Sequence, residues 1–183
     1  GVQFASGVTT PVLGSLAGNG NINLVDLGNN NVALSVGSNG GTTTFSGILS
    51  GGGSLTKSGT GTLTLSGTNT HSGGTTINAG TLAIGSGTAV GTLGATGATV
   101  TQNAGTLSFT QSTNTTNVAF ANNLVLNGGT INATLDGRYT LGSGTAGASG
   151  TNTIAVNGST IIASNWGDKG FALGGILSGT GAI

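Results

Sequence analysis

Residues 46–85 read SGILSGGGSLTKSGTGTLTLSGTNTHSGGTTINAGTLAIG, and their rhythm decides the fold. Short apolar beats at Ile48, Leu49, Leu55, Leu63, Leu65, Ile77, Leu82 and Ile84 alternate with Gly, Ser, Thr and Asn. Within a beat the apolar spacing is two, the period of a half-buried strand, and the three-or-four spacing of a helix is missing. Gly also recurs too often for a helix, since each one costs about 1 kcal/mol relative to Ala. The stretch predicts short strands joined by tight turns, with Lys57 its one charge.

Composition narrows the classes. The chain has 183 residues, enough for one domain, and charged residues make up 3% of it, against about 25% in an ordinary globular domain. Gly accounts for 39 residues without a three-residue period, which excludes collagen. The mean hydropathy of +0.26 and the recurring Leu, Ile and Val argue against disorder. Net charge is zero, so no electrostatic footprint for nucleic acid or an anionic membrane is present. No apolar run approaches the roughly 18 residues of a membrane helix, so no membrane insertion by this segment is expected. The sequence holds no Cys, so stability must rest on backbone hydrogen bonds and stacked apolar side chains. It also holds no Met and opens without a basic leader, as expected of a processed or excised form.

Two units recur. Leu, small, Gly, any, Gly, any, Leu/Ile occurs at Leu16–Ile22, Leu49–Leu55 and Leu177–Ile183. Asn, small, small, Thr, Leu/Ile starts at Asn78, Asn103, Asn127 and Asn157, in steps of 25, 24 and 30 residues. Such steps suit coils that cannot bury their apolar side alone and must stack. The expected fold is all-β, a single parallel β-solenoid of roughly eight coils over residues 1–183, spanning about 35–40 Å. Inward columns of Leu, Ile, Val and Phe would form its core. Asn78, Asn103, Asn127 and Asn157 either form an asparagine ladder at one corner or sit in ordinary turns. Residues 1–15, with Pro11, are less regular and are a candidate for pairing with a neighbouring subunit. Residues 136–150 and 164–170 read as loops. Phe171–Ile183 is similar to Phe45–Leu55.

The run from Leu49-Ser-Gly-Gly-Gly-Ser-Leu55-Thr-Lys57 through Gly59-Thr-Gly61-Thr-Leu63-Thr-Leu65 and Asn69-Thr-His71-Ser-Gly73-Gly74 to Ile77-Asn78-Ala79-Gly80-Thr81-Leu82 resembles the autotransporter-associated β-strand repeat. That family usually carries an aromatic residue where His71 stands. The resemblance implies a right-handed parallel β-helix outside the cell, in bacterial surface or secreted proteins. It implies no single activity.

Candidate chemistry is sparse. Asp26, Asp136 and Asp168 are the only carboxylate side chains, each on a different segment, whereas glycoside hydrolysis needs a pair at controlled separation. Asp136 beside Arg138, and Asp168 beside Lys169, read as solvated turn charges, and Asp26 in INLVDL reads as pointing outward. His71 is the only histidine and reads as a turn residue; no nucleophile elbow accompanies it. One His without Cys supports no metal site, and Gly51-Gly52-Gly53 lacks the Lys-Ser/Thr ending of a phosphate loop. No catalytic residue, metal or cofactor is therefore expected. Trp166 and Tyr139 could stack on sugar rings. The sequons at Asn114, Asn132 and Asn157 arise readily in a chain so rich in Asn and Thr.

The expected function is structural: an extracellular or cell-surface β-solenoid that joins head-to-tail with copies of itself into a fibre or matrix. Val2, Phe4, Val8, Ile176, Leu177 and Ile183 form the expected assembly interface, because uncapped apolar ends invite strand pairing. The alternatives are a fragment of an autotransporter passenger serving as adhesin or stalk, and a β-helix that binds or acts on polysaccharide, with cell-surface glycans as partners.

Overall fold

Alternating apolar and small polar residues build short strands, and these stack as parallel coils. The computed structural model describes residues 1–87, 91–111, 117–133, 138–141, 153–164, 171–173 and 176–183, except the side chains of 87, 111, 117–119, 133, 138–141, 163–164, 171–173 and 176–177.

In chain order the first coil carries β1 (Val2–Phe4) and β2 (Val12–Leu13). The second carries β3 (Ile22–Asp26), β4 (Ala33–Val36) and β5 (Thr43–Phe45), and the third β6 (Leu49–Ser50), β7 (Ser54–Lys57) and β8 (Thr62–Leu65). Then follow β9 (Thr75–Ile77) with β10 (Thr81–Gly87), and β11 (Thr99–Gln102) with β12 (Thr106–Gln111). The later coils hold β13 (Asn117–Phe120), β14 (Asn123–Leu126) and β15 (Gly129–Ala133), then β16 (Arg138–Leu141), β17 (Thr153–Val156) and β18 (Thr160–Ser164). The last described strands are β19 (Phe171–Leu173) and β20 (Ile176–Ser178).

These strands form a three-sided prism. The first face stacks eight strands in the order β2-β4-β7-β9-β11-β14-β17-β20, and the second stacks six, β5-β8-β10-β12-β15-β18. The third face is split into β1-β3-β6 and β13-β16-β19. The result is a solenoid of about five full turns, fewer than the roughly eight coils expected from length. The longest face does hold eight strands. Among the described residues, however, the end coils lack a strand on the second face, and the two middle coils lack one on the third.

Parallel register turns each inward position into a column. Leu34, Leu55, Thr75, Val100, Leu124 and Ile154 follow one another through the first face, all buried. Leu63, Leu82, Leu107 and Ile131 do the same on the second face, and Ile162 continues them. Each fully buried Leu or Ile contributes about 1.5–3 kcal/mol. Phe109 and Phe120 meet edge-to-face, with ring centres 5.4 Å apart, and fill the core between the second and third faces.

Several expectations change. Ile161 does not point inward: Ile131 pairs with Ile162, while Ile161 pairs with Thr130 and is exposed. Pairing runs from Leu126–Val156 to Gly129–Thr160, so the later coil has one more residue at the corner. A one-residue slip reverses the side-chain face. The Leu-Gly-Gly-Leu unit also fails to mark one place. Leu49 opens it on the third face, whereas Leu177 opens it on the first. Likewise Phe45 lies on the second face and Phe171 on the third, so Phe171–Ile183 and Phe45–Leu55 are not structural equivalents. Segment 1–15 pairs within its own chain, β1 on β3 and β2 on β4, and forms the first coil of the stack.

Candidate functional site: the terminal coils and the buried polar groups

The exposed large hydrophobic side chains among the described residues lie on the first two and last two coils. Val2 lies in the interior column of Ile22 and Leu49, which are buried, yet it is 56% exposed. Phe4 is half-buried against the same core. Val8, Val12 and Leu27 are exposed on the first two coils, and Ile161 and Ile183 on the last two. Between residues 28 and 160 no large hydrophobic side chain among those described is exposed. Ile176 and Leu177 lie in β20, the outermost strand of the first face; their side chains are outside the described residues.

Asp26 locks the first coil to the second. Its side chain is buried, contrary to the outward orientation expected from alternation. One carboxylate oxygen accepts from the Gly28 and Asn30 backbone N–H groups at 2.8 Å, and the other from Gly7 N–H at 2.7 Å. The Asn30 amide donates to both oxygens. These bonds, those from Asn30 first, hold the carboxyl below the usual aspartate range. Nearby on the third face, Gly1, Val2, Gln3, Asn21, Asn23 and Ser50 line a shallow depression of about 300 Å³.

The corner between the first and second faces carries polar groups inside and outside. Outside, the Asn103 amide donates to the Asn78 carbonyl oxygen at 2.8 Å, Asn127 to Asn103 at 2.8 Å, and Asn157 to Asn127 at 3.1 Å. Four exposed side chains thus form one hydrogen-bonded row along the axis. Inside stands Lys57, buried in the column between Val36 and Ile77. Its ammonium donates to the carbonyls of Ser58 at 2.7 Å, Gly59 at 2.9 Å and Ala79 at 3.3 Å, and burial lowers its pKa. In the same column Gln102 donates to the carbonyls of Gly105 and Thr130. Both residues satisfy corner carbonyls that turn inward.

Where the third face has no strand, side chains replace the ladder. Asn69 Oδ1 accepts from Leu49 N–H at 2.8 Å, and its amide donates to the carbonyls of Gly67 and Thr92. Asn122 donates to the carbonyls of Leu93, Ala95 and Ala98. His71 is fully buried between them, its Nε2 3.0 Å from Thr75 Oγ1 and its Nδ1 without a hydrogen-bond partner. The side chain is therefore a core group, which the reading as a turn residue missed.

Buried Lys57, the Asn78 corner, His71 in the core and the β7-to-β10 path together describe a little over one turn. Residues 55–84 match the passenger-associated-transport-repeat. No curated protein and no solved structure matches the chain. The match covers 30 of the 183 residues, and with the stack it makes the chain similar to an autotransporter-passenger β-solenoid.

Within the repeat, His71 is expected to make stability depend on pH. Burial pushes its imidazole below the ordinary range, against a smaller opposing pull from the backbone of Leu49 and Gly74. No titratable side chain is among its hydrogen-bond partners. The unfolded ring titrates near 6.5, so on acidification the unfolded chain takes up the proton first. This contribution to stability is full above about pH 7 and falls as pH drops below about 6.5, by at most about 1.4 kcal/mol per pH unit, until the folded ring protonates. Urea unfolding is expected to show a lower midpoint at pH 5.5 than at pH 7.5, and His71→Phe should remove most of the difference. Equal midpoints in the parent chain would contradict this assignment.

Asp136, Asp168, Trp166 and Asn114 lie outside the described residues, as does the Tyr139 side chain. Asp26 and His71 belong to different coils and share no hydrogen-bond partner. Among the described residues no three His, Cys, Asp or Glu side chains cluster as a metal site would require. Sequence reasoning passed over Lys57, Gln102, Asn69 and Asn122. The signal available for Lys57 was its alternation with Leu55, which places both on one side of the strand.

Proposed function

We propose that this chain is a structural shaft of the autotransporter-passenger type, displayed or released outside the cell and catalysing no reaction. The observation that carries the proposal is the transport repeat at residues 55–84, set within one continuous eight-strand stack. Its polar groups serve the coil itself: Asp26 and Lys57 are spent on backbone partners. Antibody raised against the purified chain is expected to label intact source cells or their culture medium. Labelling confined to lysed cells would overturn the proposal.

The shaft extends by stacking its ends on copies of itself, building a surface fibre or matrix. The scarcity of charge, 3% of the residues, supports this, because little electrostatic repulsion opposes association. Negative-stain microscopy with light scattering should show regular fibres, and Lys in place of Ile176 or Leu177 should stop them. A uniform monomer would remove the head-to-tail step and leave the shaft. A second reading rests on the depression lined by Gln3, Asn21, Asn23 and Ser50, whose uncharged amides suit a neutral glycan. A glycan array in which Asn23→Ala abolishes a signal would support it, and an array without a signal would dismiss it.

A further inference from the structure

We infer that the third face between β6 and β13 carries a proton-operated latch: protonating His71 parts segment 67–71 from segment 92–95 while the first and second faces stay stacked. This local opening goes beyond the shaft reading and beyond the loss of overall stability on acidification. The latch lies in mid-stack, where the two middle coils have no third-face strand among the described residues. On the second face of the same coils, β8 and β10 pair through four residues in register. Across the latch, among the described residues, two backbone bonds join the segments. Thr92 N–H donates to the Gly67 carbonyl at 3.2 Å, and Ala95 N–H to the His71 carbonyl at 3.0 Å. Asn69 and Thr92 add a reciprocal pair, amide to carbonyl at 2.7 Å and hydroxyl to carbonyl at 2.6 Å. A joint with so few backbone bonds opens locally at a lower free energy than the whole chain unfolds.

The imidazole sits in this joint. Gly94 lies against it, and a Cβ there would come within 3.3 Å of Nε2. Thr75 Oγ1 donates to the Leu93 carbonyl at 3.4 Å, so it accepts from Nε2–H at 3.0 Å. That network assigns the neutral ring's proton to Nε2. A second proton therefore goes to Nδ1, which is buried without a partner. It would leave a cation and an unpaired N–H in a fully buried position, a cost that opening the joint to water removes. The elements packed around the ring bring one other titratable side chain, Lys57 on β7, whose ammonium is held by the Ser58, Gly59 and Ala79 carbonyls. Asp26, on the strand beside β6, is held by Gly7, Gly28 and Asn30. Residues 27–56 hold no titratable side chain, and residues 58–135 hold only His71. Acid therefore acts on this joint through one group.

Hydrogen exchange of the full chain, followed residue by residue by NMR at pH 7.5 and 5.5 and corrected for intrinsic rates, tests the latch. The Thr92 and Ala95 amides are expected to lose protection at pH 5.5 by up to about tenfold. Low urea should leave their exchange unchanged, because a local opening exposes little surface. Amides of β7, β8 and β10 should stay more protected and exchange faster as urea is added, as whole-chain unfolding requires. His71→Phe should hold Thr92 and Ala95 equally protected at both pH values. The ring signal of the single histidine gives a second reading in the parent chain, needed if that variant does not fold. Its midpoint should lie below about 6.5 and track the loss of protection. Thr92 and Ala95 amides that exchange only together with the strand amides, with the same urea dependence, would overturn the latch and leave the pH dependence of overall stability intact. Protection unchanged by pH, or a ring midpoint at or above about 6.5, would overturn it as well.

Discussion

Lys57→Ala is expected to lower stability by about 3 kcal/mol or more, one of the largest effects of any single substitution here. The aliphatic stem fills the interior column between Val36 and Ile77, so truncation opens a cavity there. The ammonium is the partner of the Ser58, Gly59 and Ala79 carbonyls, which link two successive coils. Removing it leaves inward-facing carbonyls unpaired, each at a cost of about 1–3 kcal/mol. Lys57→Met restores most of the volume and none of the donors, so its loss should fall between those of the parent and Lys57→Ala. Urea denaturation of the three chains separates the two contributions. A Lys57→Ala midpoint matching that of an ordinary surface substitution, within about 0.5 kcal/mol, would contradict the buried cap.

Gly105→Ala should cost a similar amount for a different reason. Gly59, Gly80 and Gly105 recur at the corner of successive coils with φ of +70°, +65° and +73°. A Cβ on Gly105 would strike the Gly80 carbonyl, and one on Gly80 the Gly59 carbonyl. Coils about 4.8 Å apart cannot spread locally without breaking ladder bonds. The left-handed backbone costs an alanine roughly 1–2 kcal/mol before any clash. Gly97 is the control: its φ is +80° and a Cβ there meets nothing within 4 Å. Gly97→Ala should therefore cost about 1–2 kcal/mol, and Gly105→Ala clearly more, about 3 kcal/mol in all. Equal thermal shifts in the two variants would show that coil spacing does not restrain this corner.

Alternation at Leu55, Leu63, Leu65, Ile77 and Leu82 was enough to read strands and their buried sides, because a strand's period is local. The Asn units were legible as a recurring corner for the same reason, since an Asn must turn the chain before each second-face strand. Their amide-to-amide bonds depend on coil spacing, which is not a local property. Lys57 and Gln102 hid within an otherwise apolar column because their partners are carbonyls at a corner and on a neighbouring coil. Asp26 was misplaced because its ligands include Gly7, on another coil. Adjacent Ile161 and Ile162 offer two equal choices to an alternation rule, and the extra corner residue before them decides between the two. The coil count overran because dividing length by period treats every coil as complete. The Leu-Gly-Gly-Leu unit misled because a Gly-rich turn serves any corner of the prism.

The register of successive coils underlies the shaft and the asparagine row alike, and cysteine pairs test it directly. The chain has no cysteine of its own. Thr56, Thr76 and Thr101 lie side by side on three successive strands of the first face. Neighbouring strands put their Cα atoms about 4.8 Å apart, within the 4.4–6.8 Å a disulfide spans. Two coils put them about 9.6 Å apart, out of reach. Oxidation of the Thr76→Cys, Thr101→Cys chain should give a monomeric disulfide rapidly, while the Thr56→Cys, Thr101→Cys chain stays reduced. A disulfide in the second chain, with none in the first, would contradict the stacked register and the account built on it.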